Sequence, residues 1–175
     1  MRTHVTPRGP VPVINQDPVH CHCDGHDFFV PRRILNHMGL CRAQLSSMDT
    51  LGAVPNAPVA LPIHKVSYHE IYFVMQWCSA HVGDEIRSRE MREVLRQPYS
   101  NIADACPAFT ESDHIYFARL SPSGLARVIS AAYELEVEGL VLQGTKVLAE
   151  RVRGISPGDI KRLIVDGGGV RGPRG

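Results

Sequence analysis

Residues 19–30, Val-His-Cys-His-Cys-Asp-Gly-His-Asp-Phe-Phe-Val, set two cysteines, three histidines and two aspartates within a dozen positions. Those are the side chains from which metal centres are built. The spacing argues against one. If residues 19–23 are a strand, Cys21 and Cys23 face one way while His20 and His22 face the other, so a single tetrahedral ion cannot collect all four. A structural zinc site also needs a second ligand pair, and Cys41, Cys78 and Cys106 stand alone in the sequence. The expected role is packing, with Cys21 and Cys23 as small apolar side chains in the core and His20, His22, His26 and His37 at the surface. No metal ligand and no cofactor is expected.

The other candidates for chemistry are no stronger. Catalysis would need a base beside a nucleophile, a phosphate-binding loop or paired carboxylates, and no segment offers one in usable context. Trp77-Cys78 reads as core packing, because no cationic neighbour is placed in sequence to activate the thiol. Gly167-Gly168-Gly169 lacks a following Lys-Ser or Lys-Thr, so it is no phosphate cradle. With Arg171 and Arg174 it could touch RNA, but it reads as a disordered end. The chain is expected not to be an enzyme.

Nineteen Lys and Arg against eighteen Asp and Glu leave a net charge of +1, too even to imply nucleic-acid binding. No apolar run approaches the ~20 residues of a membrane span. Residues 1–18, broken by four prolines and without the apolar stretch of a secretory signal, are expected to be a disordered arm. An odd number of irregularly spaced cysteines then suggests reduced thiols and a cytoplasmic or nuclear setting.

The elements that must carry any surface follow from periodicity. Asp24-Gly25 between two extended segments predicts a hairpin, since both residues tolerate positive φ. A short helix should start at Pro31 and stop at Gly39, followed by a second over 40–48, a loop over 48–58 and a short strand over 59–62. From Ser67 to Val82 the stripe Ile71, Val74, Met75, Cys78 and Val82 predicts a longer helix, widened by Tyr68 and Trp77. A variable polar stretch, 83–106, with a helix possible over 84–95, divides this half from a helical back half. There Ser121-Pro122 and Ser156-Pro157 each place a capping hydroxyl before a proline. Leu125, Val128, Ile129, Ala132 and Leu135 form one stripe, and Val137, Leu140, Val141, Leu148 and Val152 another, with a break near Gly139. Ile160, Leu163 and Ile164 give a third.

In that order, "FFVP", "PVALP", "VMQWCSAH", "GLARVISAAYELEVEGL" and "KVLAERVRGISPGDIKRLI" resemble the S-phase kinase-associated protein family, the small adaptors of cullin-RING ubiquitin ligases. The likeness runs over about residues 19–165 and is weakest over 83–107. It implies an α/β fold of POZ (BTB) type over 19–106, a helical extension over 107–166 for dimerisation or F-box binding, and a disordered tail over 167–175. It also implies a non-catalytic bridge between a cullin and an F-box protein in an SCF-type E3 ubiquitin ligase. By position, Ala132, Tyr133 and Glu134 fall at the cullin-facing end. Leu140, Val141, Leu148, Val152, Ile160, Leu163 and Ile164 fall where an F-box helix would dock. These stripes exceed what a small helical hairpin buries by itself, and uncovered apolar surface marks partner sites.

The chain departs from the family pattern at several places. Tyr133-Glu134 stands where the family shows Asn-Tyr, which turns the aromatic by ~100° on a helix. Ala126 and Ser130 replace larger apolar residues, and "DGGGVRGPRG" stands where a final amphipathic helix is usual. Two rival readings follow: a POZ-like module that self-associates as a homodimer and has lost the cullin, and a zinc-binding domain using His20, Cys21, His22 and Cys23.

Overall fold

The structure is a computed structural model and describes residues 18–50, 61–84 and 106–165. It is mixed α/β, mostly helical, with a small sheet. Strands β1 (Val19–Cys23) and β2 (His26–Val30) form the expected hairpin, with Cys23 opposite His26 and Val19 opposite Val30. Asp24 and Gly25 have φ of 51° and 78°, the paired left-handed geometry of a two-residue turn that matches strand twist. Strand β3 (Leu61–Ile63) pairs in parallel with β1, giving the order β2-β1-β3. The pleat separates the side chains as the sequence implied: Cys21 and Cys23 are buried, while His22 is exposed and His20 half-buried.

Helix α1 (Arg32–Leu35) follows Pro31, and α2 spans Gly39–Thr50. Gly39 was expected to stop a helix and instead starts one. The reason is tertiary. The Gly39 and Leu40 amides donate to the Glu136 and Leu135 carbonyls at 3.3 Å each, from a turn almost a hundred positions away. A Cβ at Gly39 would lie 2.6 Å from Glu136 Oε2, so only glycine admits this approach. The expected loop over 48–58 is contradicted at residues 48–50, which belong to α2 because that helix runs further than its apolar stripe. Residues 51–60, with the remainder of that loop and the start of the expected strand, lie outside the described residues, as do the arm over 1–17, the expected helix beyond Asp84 and the tail from 166.

Helix α3 (Tyr68–Ala80) opens on Ser67, whose hydroxyl accepts the Glu70 amide at 3.4 Å, and buries Ile71, Val74, Trp77 and Cys78. Helix α4 (Glu111–Ala118) was not foreseen. Its capping box is in the sequence: Thr110 Oγ1 accepts the Asp113 amide at 3.2 Å, and Asp113 Oδ2 accepts the Thr110 amide at 2.8 Å. Helix α5 (Pro122–Glu134) is capped by Ser121 as expected. It ends in a Schellman turn, with Val137 N donating to Ala132 O at 2.8 Å and Glu136 at φ 57°. The break between stripes therefore falls at 135–137, and Gly139 lies inside helix α6 (Glu138–Arg151). Helix α7 (Pro157–Val165) opens on Ser156, whose Oγ accepts the Asp159 amide at 3.3 Å.

One continuous core joins both halves. It runs from Cys21, Cys23 and Val30 under the sheet, through Leu35, Cys41, Ile71 and Val74, to Leu125, Val128, Leu135 and Leu140. Helix α5 packs on α3, α6 and α7, which makes it the spine of the back half. Among the described residues no helix is long and apolar enough to cross a membrane.

Candidate docking surface

Helix α6 changes character halfway. Leu140, Val141, Leu142, Gln143 and Gly144 are all buried, and the same helix from Thr145 on has no fully buried residue. That condition persists through Ile164, twenty residues that include Val147, Leu148, Ala149, Val152, Ile155, Ile160, Leu163 and Ile164 as half-buried apolar side chains. In α7 the apolar residues share one face while Pro157, Gly158, Lys161 and Arg162 are exposed. The end of α6 and α7, which packs on α5, thus each keep a partly covered apolar side, called here the ledge.

The residues anticipated from sequence divide across this boundary. Leu148, Val152, Ile160, Leu163 and Ile164 lie on the ledge. Leu140 and Val141 do not: at 0% and 2% exposure they are enclosed by their own chain. A single periodic stripe reports one helix face, and here its first turns are fully enclosed while its last are only half-buried. Ala132, at 0%, is likewise core, whereas Tyr133 and Glu134 beside it are half-buried. Glu134 reaches Lys65 Nζ at 3.8 Å.

Two polar features hold the ledge in place, and periodicity pointed to neither. Arg151, at the end of α6, donates from Nη1 to the Leu120 carbonyl at 2.6 Å and from Nη2 to the Phe117 carbonyl at 2.5 Å, closing the C-terminus of α4. Charge-assisted bonds to carbonyls at a helix end are favoured by the local dipole. Deeper in, Gln143 accepts from Trp77 Nε1 at 3.1 Å and donates from Nε2 to Asp113 Oδ2 at 3.2 Å and to the Ala108 carbonyl at 3.3 Å. Asp113 and Gln143 are both 0% exposed. His81 stacks on Trp77 with centroids 3.8 Å apart; its Nδ1 lies 2.8 Å from the Trp77 carbonyl and its Nε2 3.2 Å from Asp113 Oδ1. Helices α3, α4 and α6 are thus tied by one buried polar network. Its sequence signal was a glutamine breaking an apolar run and the Thr-x-x-Asp of a capping box.

The four buried cysteines are poor nucleophiles. Burial pushes the Cys21 and Cys41 thiols up to about 12, and it raises Cys78 and Cys23 as well, so the nucleophilic thiolate is disfavoured at each. On the outer hairpin face Asp27 Oδ1 lies 3.0 Å from His22 Nδ1 and 3.1 Å from His20 Nε2. The hydrogen bond from His22 is the main reason its carboxyl stays below the ordinary value of 3.8. Among the described residues no group of three or more His, Cys, Asp or Glu side chains is placed to hold a metal ion.

No protein-family model matches the chain. Curated relatives do. The suppressor of kinetochore protein 1 of Schizosaccharomyces pombe is 27% identical over 141 residues, 81% of this chain and 80% of the relative. The E3 ubiquitin ligase complex SCF subunit sconC of Arthroderma otae is 24% identical over 141 residues, 81% of this chain and 77% of the relative. Along about four-fifths of its length the chain is thus similar to Skp1-like subunits of SCF ubiquitin ligases, as a divergent relative.

Proposed function

We propose that this protein is a non-catalytic subunit of an SCF-type E3 ubiquitin ligase and acts as the adaptor between a cullin scaffold and an F-box substrate receptor. One observation carries the reading: from Thr145 to Ile164 no side chain is fully buried, although eight of the twenty are apolar. Apolar side chains left partly uncovered on a folded domain mark a partner site, and such helical faces suit an amphipathic helix laid against them. The names of the relatives supply the class of assembly. Residues 19–106 then form the POZ-like unit, and 107–166 the extension that takes the F-box. Leu148, Val152, Ile160, Leu163 and Ile164 make the F-box contact. Tyr133 and Glu134 face the cullin.

The test mixes the full chain separately with an F-box peptide and with a cullin N-terminal fragment. Leu163→Asp, at a half-buried position, should abolish F-box binding and leave cullin binding unchanged. Val141→Asp should remove both, because a charge in the core unfolds the extension. Equal loss of both partners in Leu163→Asp, with a normal melting curve, would refute the assignment.

A further inference from the structure

A cleft of about 160 Å³ opens between the first turns of α3 and α5, beside the turn that joins α4 to α5. Three donor side chains line it, each from a different element: His69 from α3, Arg119 from the end of α4 and Arg127 from α5. The Ser121 hydroxyl lies among them. Their convergence follows from helical spacing. His69 and Phe73 are four apart on one face of α3, Arg127 and Val128 follow Gly124 by three and four on one face of α5, and the two helices pack on each other. All three donors are exposed at the surface, so an incoming ligand can reach them.

The donors are also unspent. The Arg119 side chain makes no hydrogen bond or ion pair among the described residues, and the His69 ring meets only the ring of Phe73. Arg127 is engaged on one edge: its Nε lies 3.2 Å from Glu70 Oε1, while neither Nη group has a hydrogen bond among the described residues. Glu70 is a firm anchor, since its side chain is 15% exposed and its amide is held by the Ser67 cap. Two guanidinium groups against one carboxylate leave the cleft positive before His69 is counted, and the start of α5 adds to that sign. Phe73 and Val128 form an apolar floor, which reduces the competition of water for the donors above it. A planar carboxylate is satisfied by a single guanidinium fork, whereas donors arriving from three elements suit a tetrahedral oxyanion.

We infer that this cleft binds a phosphoryl group, free or carried on a side chain, with Arg119 and Arg127 as its principal donors, His69 and Ser121 beside them, and Glu70 positioning Arg127. The cleft lies at the start of α5 and Glu134 at its end, so the inference is independent of the adaptor reading.

The test titrates sodium phosphate into the full, nitrogen-15-labelled chain at neutral pH and constant ionic strength, read from amide shifts. Saturable shifts should gather at residues 69–73 and 119–128, with a dissociation constant on the order of 1 mM. Arg119→Gln, at a side chain with no partner to strand, should weaken binding about tenfold with an unchanged melting curve. Arg127→Lys keeps the charge but not the fork and should weaken it about threefold. Sulfate should compete with phosphate, and acetate should bind about tenfold more weakly than either. Comparing the capped peptide glycyl-phosphoseryl-glycine with phosphate separates the sources: tighter binding of the peptide assigns the occupant to a modified protein, weaker binding to the free ion. Shifts that do not saturate, that spread evenly over the exposed arginines and lysines, or that survive both substitutions unchanged overturn the inference, as does acetate bound as tightly as phosphate. None of these results bears on the adaptor reading.

Discussion

Replacing Asp113 by alanine should cost more than any surface substitution in this chain. The carboxylate has no solvent exposure; its Oδ2 accepts from the Thr110 amide at 2.8 Å, Thr110 Oγ1 at 2.9 Å and Gln143 Nε2 at 3.2 Å, and its Oδ1 lies 3.2 Å from His81 Nε2. Losing the capping box is worth about 1 kcal/mol. Stranding the buried Gln143 amide and the groups around it is the larger effect, since a buried polar group left without its partner costs about 1–3 kcal/mol. These terms overlap, so the expected loss is about 3 kcal/mol, a substantial part of the 5–15 kcal/mol that holds a typical domain together. At roughly 2–4 °C per kcal/mol for a chain of this length, the melting temperature should fall by about 6–12 °C. Urea titration followed by fluorescence is a direct assay, because Trp77 is the protein's one tryptophan and sits in the network. A double-mutant cycle with His81→Phe, which retains a ring against Trp77, isolates the pair. The doubly substituted protein should lose less than the sum of the single losses by about 1–3 kcal/mol. A single-variant loss below about 1 kcal/mol, or additivity within ~0.5 kcal/mol, would refute the claim that the network is a coupled unit.

Two further outcomes follow from local geometry. Gly139→Ala would stabilise an exposed helix by about 1 kcal/mol, but here the new Cβ would stand 2.7 Å from Trp77 Cη2, on a ring already held by Gln143 and His81; a net loss of about 1–2 kcal/mol in urea unfolding is expected, and a gain would mean the ring moves freely. Asp27 has a depressed folded-state pKa, so its contribution to stability is present above the ordinary aspartate range and is lost as pH falls through the folded value; the difference in urea midpoint between wild type and Asp27→Asn should therefore be constant near neutrality and vanish in acid, and a difference that persists unchanged in strong acid would show that the His22 bond is not its source.

Much of the framework was legible because it is local. The Asp24-Gly25 turn, the hydroxyl caps at Ser67, Ser121 and Ser156, and the stripes of α3, α5 and α6 each depend on residues within a few positions of one another. Where the sequence misled, a distant segment decided. Gly39 has the look of a terminator, yet it opens α2 because the α5–α6 turn accepts its amide. The candidate surface shows the same division. Periodicity located the face to which Leu140, Val141, Leu148 and Val152 belong, but not where its full enclosure ends, so two of these four proved to be core. Arg151 and Gln143 gave no periodic signal at all, since a polar residue's partner cannot be read from spacing. Helix α4 was missed although Thr110 and Asp113 carry its start signal, because the apolar content that follows them is brief.

The fork that Arg151 places on the Phe117 and Leu120 carbonyls has an effect beyond securing α4. Apolar side chains that are only half covered tend to fold inward, and a helix end so lightly packed would ordinarily fray. Pinned from below by a charged strut, the final turns of α6 can stay regular and half covered together. An incoming helix then meets a rigid bed and loses little free energy to ordering it. In the proposed adaptor the same strut would make the waiting state safe, keeping the free molecule from collapsing into a form that a partner could no longer enter.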